Sequence, residues 1–439
     1  MDCDLMIVNG LVKSTPNDNP DRANPGFIII NAGKVSSTGP MSELPDTIKP
    51  TRTISADNCL VMPGLINAHA HSPMTLFRGL ADDLPLMTWL QEYIFPAEAK
   101  HVTPEMVYWC SRLAAAEMVL SGTTTVADSY FFEDEAARAM KEVGIRCLAA
   151  QGVIDFPAPG VPDPSLNINV AAQFINSWNS DELITPGIFC HSPYTCSSST
   201  IIKAKELARE TGSRLFIHLA ETSTEREQSL KEHNLTPVRY LENLGVLDET
   251  TVCVHCIWLD DNDIMTLRDT GASVASCPES NMKLASGIAP LEKISAAGIP
   301  VALGTDSSAS NNNLDMFGEL ATAAKAHKAS TLDPTTLPAI KIIEMATTDG
   351  ANVLGFQDEC GKLEIGMQAD IILIDLNKPH LTPIYECNSL LTYAATGSDV
   401  KMSIIAGKIV MEDGEIKTID LQETMNKVNE LATKVKSAT

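Results

Sequence analysis

The sequence predicts an α/β fold: a (β/α)8 barrel of the TIM type, carrying a small β-sandwich domain assembled from both chain ends. Three observations lead there. Within residues 61–361, eight short apolar runs alternate with longer segments of helical spacing. Residues 1–60 and 362–439 share a different, strand-rich texture. Five of the eight apolar runs, the first, fourth, fifth, sixth and eighth, end in ligand-like histidines or Asp306. A doubly wound open sheet has the same local alternation, but a closed barrel gathers the C-terminal ends of all its strands around one site.

In chain order, residues 1–60 hold the runs Leu5-Met-Ile-Val-Asn-Gly-Leu-Val, Phe27-Ile-Ile-Ile and Lys34-Val-Ser, separated by Gly, Pro, Asn and Asp. Such punctuation reads as short antiparallel strands joined by turns. Lys362-Leu-Glu-Ile-Gly-Met-Gln-Ala-Asp-Ile-Ile-Leu-Ile-Asp-Leu and Val400-Lys-Met-Ser-Ile-Ile-Ala-Gly-Lys-Ile-Val-Met repeat that texture. The two ends are therefore expected to fold together, 1–60 with 362–439, including a C-terminal helix over about 420–437. The barrel's first strand is Val61-Met-Pro-Gly-Leu-Ile-Asn-Ala-His69-Ala-His71. The next three are Thr123-Thr-Thr-Val-Ala-Asp, Arg146-Cys-Leu-Ala-Ala-Gln-Gly-Val and Gly187-Ile-Phe-Cys-His. Arg214-Leu-Phe-Ile-His-Leu-Ala-Glu, Thr251-Val-Cys-Val-His-Cys, Ala272-Ser-Val-Ala-Ser-Cys-Pro and Pro300-Val-Ala-Leu-Gly-Thr-Asp complete the eight. Segments 105–120, 201–211 and 260–270 between them place apolar residues three and four apart, the helical period.

Composition bounds the function. At 439 residues with 44% hydrophobic content, the chain can bury one large core and a second small one. Its net charge of −24 is spread along the chain and argues against nucleic acid or an anionic membrane as partner. No run of apolar residues is long enough to span a bilayer, and the N-terminus lacks a signal peptide's basic region, so a cytoplasmic location is expected. The eleven cysteines, odd in number and scattered, suit reduced thiols. Cys253 and Cys256 match C-x-x-C, but in a strand-like run residues three apart face opposite sides, and a structural role is the better reading.

The chemistry collects at strand ends. His69 and His71 stand at i and i+2, which an extended strand turns to one face. The fourth run ends in His191, the fifth in His218 with Glu221 three residues on, the sixth in His255 and the eighth in Asp306. His101, His233, His327 and His380 lie in helix-like or loop context and read as structural. Three imidazoles and one carboxylate suit zinc or another borderline divalent ion and leave a position for water. Such an ion lowers the water's pKa toward ~7. Asp306 can accept the departing proton, His255 can hold the water by a hydrogen bond, and Glu221 can carry a proton without ligating the ion.

Pro63-Gly-Leu-Ile-Asn-Ala-His-Ala-His, His218-Leu-Ala-Glu-Thr, Val254-His-Cys and Leu303-Gly-Thr-Asp-Ser, in this order, resemble the amidohydrolase superfamily. Ser72-Pro-Met-Thr-Leu-Phe-Arg-Gly-Leu, Phe95-Pro-Ala-Glu, His191-Ser-Pro-Tyr and Ser280-Asn-Met-Lys-Leu-Ala-Ser-Gly resemble more closely its 5-methylthioadenosine/S-adenosylhomocysteine deaminases. The resemblance implies a barrel over 61–361 and a metal held by His69, His71, His218 and Asp306. It implies one Zn2+ per chain, or Fe2+ or another divalent ion in its place; no lysine ends the fourth strand to bridge two metals. It also implies Glu98 on the ribose hydroxyls, His191 against the nucleoside, and hydrolytic deamination of the adenine ring. Water attacks C6 while Glu221 protonates N1, and Asp306 and His255 manage the water's proton. A small-molecule nucleoside is the expected partner, with the chain in a homo-oligomer. The alternative is a relative acting on another ring: a guanine or cytosine deaminase or a chlorotriazine hydrolase. A metal-free scaffold would lack ligands, and all four positions are filled here. One departure bears on substrate: some members have arginines after the third strand that suit a substrate carboxylate. Gln151-Gly-Val-Ile-Asp-Phe-Pro-Ala-Pro-Gly-Val-Pro-Asp-Pro has none, which favours a neutral 5′ group as in methylthioadenosine or adenosine.

Overall fold

The structure is a computed structural model and describes residues 2–436. Eight parallel strands follow one another in chain order: β6 (Leu65–Ala70), β7 (Thr123–Tyr130), β8 (Arg146–Val153), β9 (Ile184–Cys190), β10 (Leu215–Leu219), β11 (Thr251–His255), β12 (Ser273–Ser276) and β13 (Val301–Leu303). A parallel bridge between Ala70 and Asp306 joins the last strand to the first, with the Asp306 N–H donating to the His69 carbonyl at 2.9 Å. Sequential order and joined edges distinguish a barrel from a doubly wound sheet, whose strand order reverses at its centre. Gly304 makes the closure possible, since a Cβ there would lie 2.7 Å from the His69 backbone nitrogen.

Strand residues alternate as their period of two requires. Ile66, Ala127, Leu148, Ala150, Phe216, Val252, Val254 and Ala302 fill the barrel interior. Their neighbours Leu65, Val126, Cys147, Ala149, Leu215, Cys253 and Leu303 pack outward against the helices. Helices appear over Pro104–Leu120, Ser198–Thr211 and Asp261–Thr270, at the segments of helical spacing. Ala351, Val353, Leu354 and Phe356 from the helix Thr348–Leu354 and the turn after it join the interior core. Gly355 beside Arg214, which precedes β10, puts this plug at the N-terminal end of the strands. The opposite end is left to carry the chemistry.

The second sheet has nine strands, from β1 (Asp2–Val12), β2 (Gly26–Asn31), β3 (Lys34–Pro40), β4 (Lys49–Ser55) and β5 (Cys59–Pro63), with β14 (Ile371–Asp375), β15 (Val400–Ile405), β16 (Lys408–Glu412) and β17 (Glu415–Ile416). β1 links its halves, pairing with β2 and β4 along most of its length and with β5 at Leu11–Val12. Ile7, Ile28, Ile30 and Ile54 of one half share a core with Ile371, Leu373, Met402 and Ile404 of the other.

Two boundaries differ from the sequence expectation. The apolar run read as one barrel strand is two: β5 pairs antiparallel with β14 in the small sheet, and the barrel begins only after Gly64. Gly64 abuts Thr124 so closely that a Cβ would fall 2.0 Å from the threonine hydroxyl oxygen. The C-terminal helix, Leu421–Lys436, belongs with the barrel side, because its Val428, Leu431 and Val435 bury against Met74, Met106 and Cys110. Its apolar stripe suits any apolar face, and the exposed side of Pro104–Leu120 is the one within reach.

Candidate active site

The C-terminal mouth of the barrel holds a cavity that opens to solvent. Its wall includes His71, Glu98, His191, His218, Glu221, His255 and Asp306. His69, fully buried, lies just beneath. Every site residue expected from the sequence therefore falls in one place, although 237 positions separate His69 from Asp306.

His69, His71 and His218 each bring one ring nitrogen within 4.8 Å of the others, and His69 Nε2 lies 3.2 Å from His218 Nε2. Asp306 Oδ1 lies 3.4 Å from His71 Nε2 and 3.8 Å from His69 Nε2. Asp306 Oδ2 is engaged elsewhere, accepting hydrogen bonds from Ser280 Oγ at 2.6 Å and Ser310 Oγ at 2.8 Å. The hydroxyls thus orient the carboxylate with one oxygen toward the imidazoles.

Protonation states fit a metal. His71 Nδ1 faces the Ser129 carbonyl, which only accepts, so Nδ1 carries a proton and Nε2 is the nitrogen turned to the cluster. Burial, reinforced by neighbouring imidazoles, drives His69 and His218 well below the usual histidine range. Burial alone would raise Asp306, but the facing His71 and the Ser280 hydroxyl that donates to it help hold it down at about 2. Two imidazoles that burial keeps unprotonated, His69 and His218, converge with His71 on an ionised carboxylate. A divalent ion stabilises such a set, and these four residues are of the type and number it takes.

The remaining groups surround that centre. His255 donates from Nδ1 to Asn281 Oδ1 at 2.9 Å, and its Nε2 lies 3.9 Å from Glu221 Oε2. Burial raises the Glu221 pKa, partly offset by His255. His191 Nδ1 sits 2.9 Å from Thr195 Oγ1, and burial lowers its pKa to about 3. Ala220, His255 and Asp306 all have positive φ, at +51°, +72° and +59°. Left-handed backbone disfavours residues with a Cβ by roughly 1–2 kcal/mol, and here it recurs at three strand exits that aim site residues.

Glu98 lies on the helix Phe95–His101 and is buried, with the Tyr130 hydroxyl donating to its Oε1. Burial pushes its pKa to about 7. The loop after Gln151 supplies Ile154, Phe156, Pro157, Ala158 and Pro159 to the wall, and Phe156 meets Phe95 with ring centres 5.9 Å apart. Among the described residues lining the cavity there is no lysine or arginine.

Ser280, Asn281, Ser310, Tyr130 and Glu225 are site residues that sequence reasoning leaves without a role. Ser280 and Asn281 stand inside a recognised motif, yet nothing in the motif says what they touch. Glu225 has a local signal, Thr222-x-x-Glu225, the pattern of a helix capping box. His327 and His380 bear out their structural reading: His327 is buried between the Ala323 and Ala289 carbonyls, and His380 pairs with Asp399. Cys253 and Cys256 are buried and unbridged.

The amidohydrolase family model matches residues 60–410. The chain is 46% identical over 433 residues to the 5-methylthioadenosine/S-adenosylhomocysteine deaminase of Syntrophobacter fumaroxidans, covering 99% of this chain and 98% of that one. It is 42% identical over 434 residues to the 5'-deoxyadenosine deaminase of Methanosarcina mazei, covering 98% of each. The crystal structure of an adenosine deaminase from Xanthomonas campestris with bound zinc matches with a TM-score of 0.96 and 35% identity over 99% of both chains. The chain belongs to the amidohydrolase family.

Proposed function

We propose that the chain is a metal-dependent hydrolytic deaminase of adenosine-type nucleosides whose 5′ substituent is neutral and apolar. The observation that carries this reading is the convergence of Glu221, His255 and Asp306 on three imidazoles, in one cavity with the buried Glu98. In this reading His69, His71, His218 and Asp306 hold one zinc ion. A divalent ion there supplies a water acidic enough to act as nucleophile at neutral pH.

The chain's own groups do the rest. Glu221, its pKa raised by burial toward the range a proton donor needs, passes a proton to N1 of the adenine ring, which makes C6 electron-poor. His255, tied through Nδ1–H to Asn281, turns its Nε2 into the site, where it can hydrogen-bond the attacking water. Asp306 has Oδ2 held by two hydroxyls, while Oδ1, the oxygen that would ligate the ion, keeps a second lone pair that can accept the water's proton. Glu98 as a carboxylate accepts from both ribose hydroxyls, a bond a bare base cannot offer. His191 borders the nucleoside. The wall from Ile154 to Pro159 suits a methylthio or methyl group better than a charged amino-acid tail, whose carboxylate would find no cation there.

Ammonia release from methylthioadenosine, 5'-deoxyadenosine, S-adenosylhomocysteine, adenosine, guanine and cytosine, with and without a chelator, tests the reading. Apolar 5′ nucleosides should lead and the chelator should abolish turnover. Preference for a bare base, or chlorotriazine dechlorination without nucleoside turnover, would overturn it. Metal analysis should find about one zinc per chain.

A further inference from the structure

We propose that Glu225 is a positioning residue for Glu221, its carboxylate anchoring the strained turn that aims the acid into the cavity. β10 ends at Leu219, and the chain leaves it through Ala220 in the left-handed region at φ +51°. There the backbone N–H groups of Ala220 and Glu221 have lost their ladder partners. Each donates at 2.8 Å to a different oxygen of Glu225, Ala220 to Oε1 and Glu221 to Oε2. Left-handed backbone can turn successive N–H groups to one side, and such a pair forms an anion-binding cradle.

The other side of the turn is pinned by the exit of β11. The Ala220 carbonyl accepts from Ile257 at 3.0 Å and Trp258 at 2.9 Å, and the Leu219 carbonyl accepts from Cys256 at 3.0 Å. Glu221 thus hangs from a turn whose carbonyls are fixed by one strand exit and whose amides are fixed by Glu225. Its own carboxylate lies 3.9 Å from His255.

Helix capping alone does not account for this arrangement. Thr222 caps the helix Ser223–His233, accepting from the Glu225 N–H at 3.1 Å. In an ordinary capping box the Glu side chain would return to the N–H of Thr222 itself. Here it passes that group by and reaches back to the two preceding amides. Glu225→Gln keeps one acceptor oxygen but sets an NH2 against a backbone N–H, loosening the turn without changing side-chain volume.

The test is a double-mutant cycle on the metal-loaded enzyme: wild type, Glu225→Gln, Glu221→Gln and the double variant, with kcat, KM and metal content measured on methylthioadenosine. Glu225→Gln should lower kcat about 10–100-fold, the loss a misplaced catalytic group produces, with KM and metal content little changed. In the Glu221→Gln background the same change should cost less than about twofold, because residues acting as a unit are non-additive. Equal losses in both backgrounds, or a single variant near wild-type kcat, would overturn the proposal. If Glu225→Gln does not fold, Glu225→Asp replaces it in the cycle, and additive losses there overturn it equally. The inference rests on the acid role of Glu221. Glu221→Gln at wild-type rate overturns both, whereas an impaired Glu221→Gln with additive losses overturns only the role of Glu225.

Discussion

Replacing Glu98 with glutamine should stabilise the free protein above neutral pH and leave it unchanged in acid. Glu98 is 8% exposed, and burial places its pKa at about 7 against an ordinary 4.5. At 1.36 kcal/mol per pKa unit, that difference is roughly 3 kcal/mol. Below pH 4.5 the carboxyl is protonated in both the folded and unfolded chain and adds no penalty. Between 4.5 and 7 the unfolded chain releases this proton while the folded chain retains it, so stability falls as pH rises through that window. The glutamine side chain is neutral, has nearly the same shape and still accepts from the Tyr130 hydroxyl. Thermal unfolding of wild type and Glu98→Gln at matched ionic strength, from about pH 4.5 to about pH 8.5, gives the readout. The Tm difference should be near zero at the acid end and grow to a few degrees, in favour of the variant, above about pH 7. Other titrations are common to both proteins and cancel. Saturating nucleoside should reverse the gap, because ribose hydroxyls stabilise only the wild-type carboxylate, whose binding should tighten as pH rises toward about 7. Parallel curves, or a gap that opens in acid, would refute the reasoning.

Other perturbations test other links. Glu221→Gln should retain metal and lose turnover by about 10²–10⁴-fold, the range of general acid catalysis; turnover near the wild-type rate would remove Glu221 from the mechanism. Gly304→Ala places a methyl against the His69 backbone, 2.7 Å from its nitrogen, where no flexible side chain can yield. It should displace the closing strand and cost metal affinity, measurable by competition with a chromophoric chelator. Asp370→Ala removes the buried partner of Arg146, whose Nε donates to Asp370 Oδ2 at 2.8 Å with both side chains at most 3% exposed, and leaves it the half-exposed Glu359 at 3.6 Å and the Glu182 carbonyl. Loss of one partner of such a pair costs about 3–5 kcal/mol, and urea unfolding of the holoenzyme should show it. An unchanged midpoint would mean Glu359 or water satisfies the guanidinium in its place.

The barrel is readable because its signals are local. Short apolar runs, interrupted by helical spacing, report burial on both faces of each strand. His69 and His71 are readable for the same reason, since a period of two puts them on one face. The boundary at Gly64 is not, because the apolar residues of β5 run on into Leu65 and Ile66 of β6, and which sheet each strand pairs with is set far along the chain. Nor is the berth of the C-terminal helix. Glu98 has a carboxylate's ordinary sequence surroundings, and only its resemblance to a motif marks it; its burial and its bond to Tyr130 come from elements 32 positions apart.

What the sequence by itself determined is the alternation of strands and helices, the ligand types at strand ends and the absence of arginine after Gln151, all properties of residues close along the chain. What only the tertiary structure decided is orientation. Ser280 and Ser310 turn Asp306, Asn281 sets the proton of His255, and Glu225 holds the turn beneath Glu221. Hydrogen bonds of this kind act over about 3 Å between groups that barrel closure brings together, and no spacing along the chain records them.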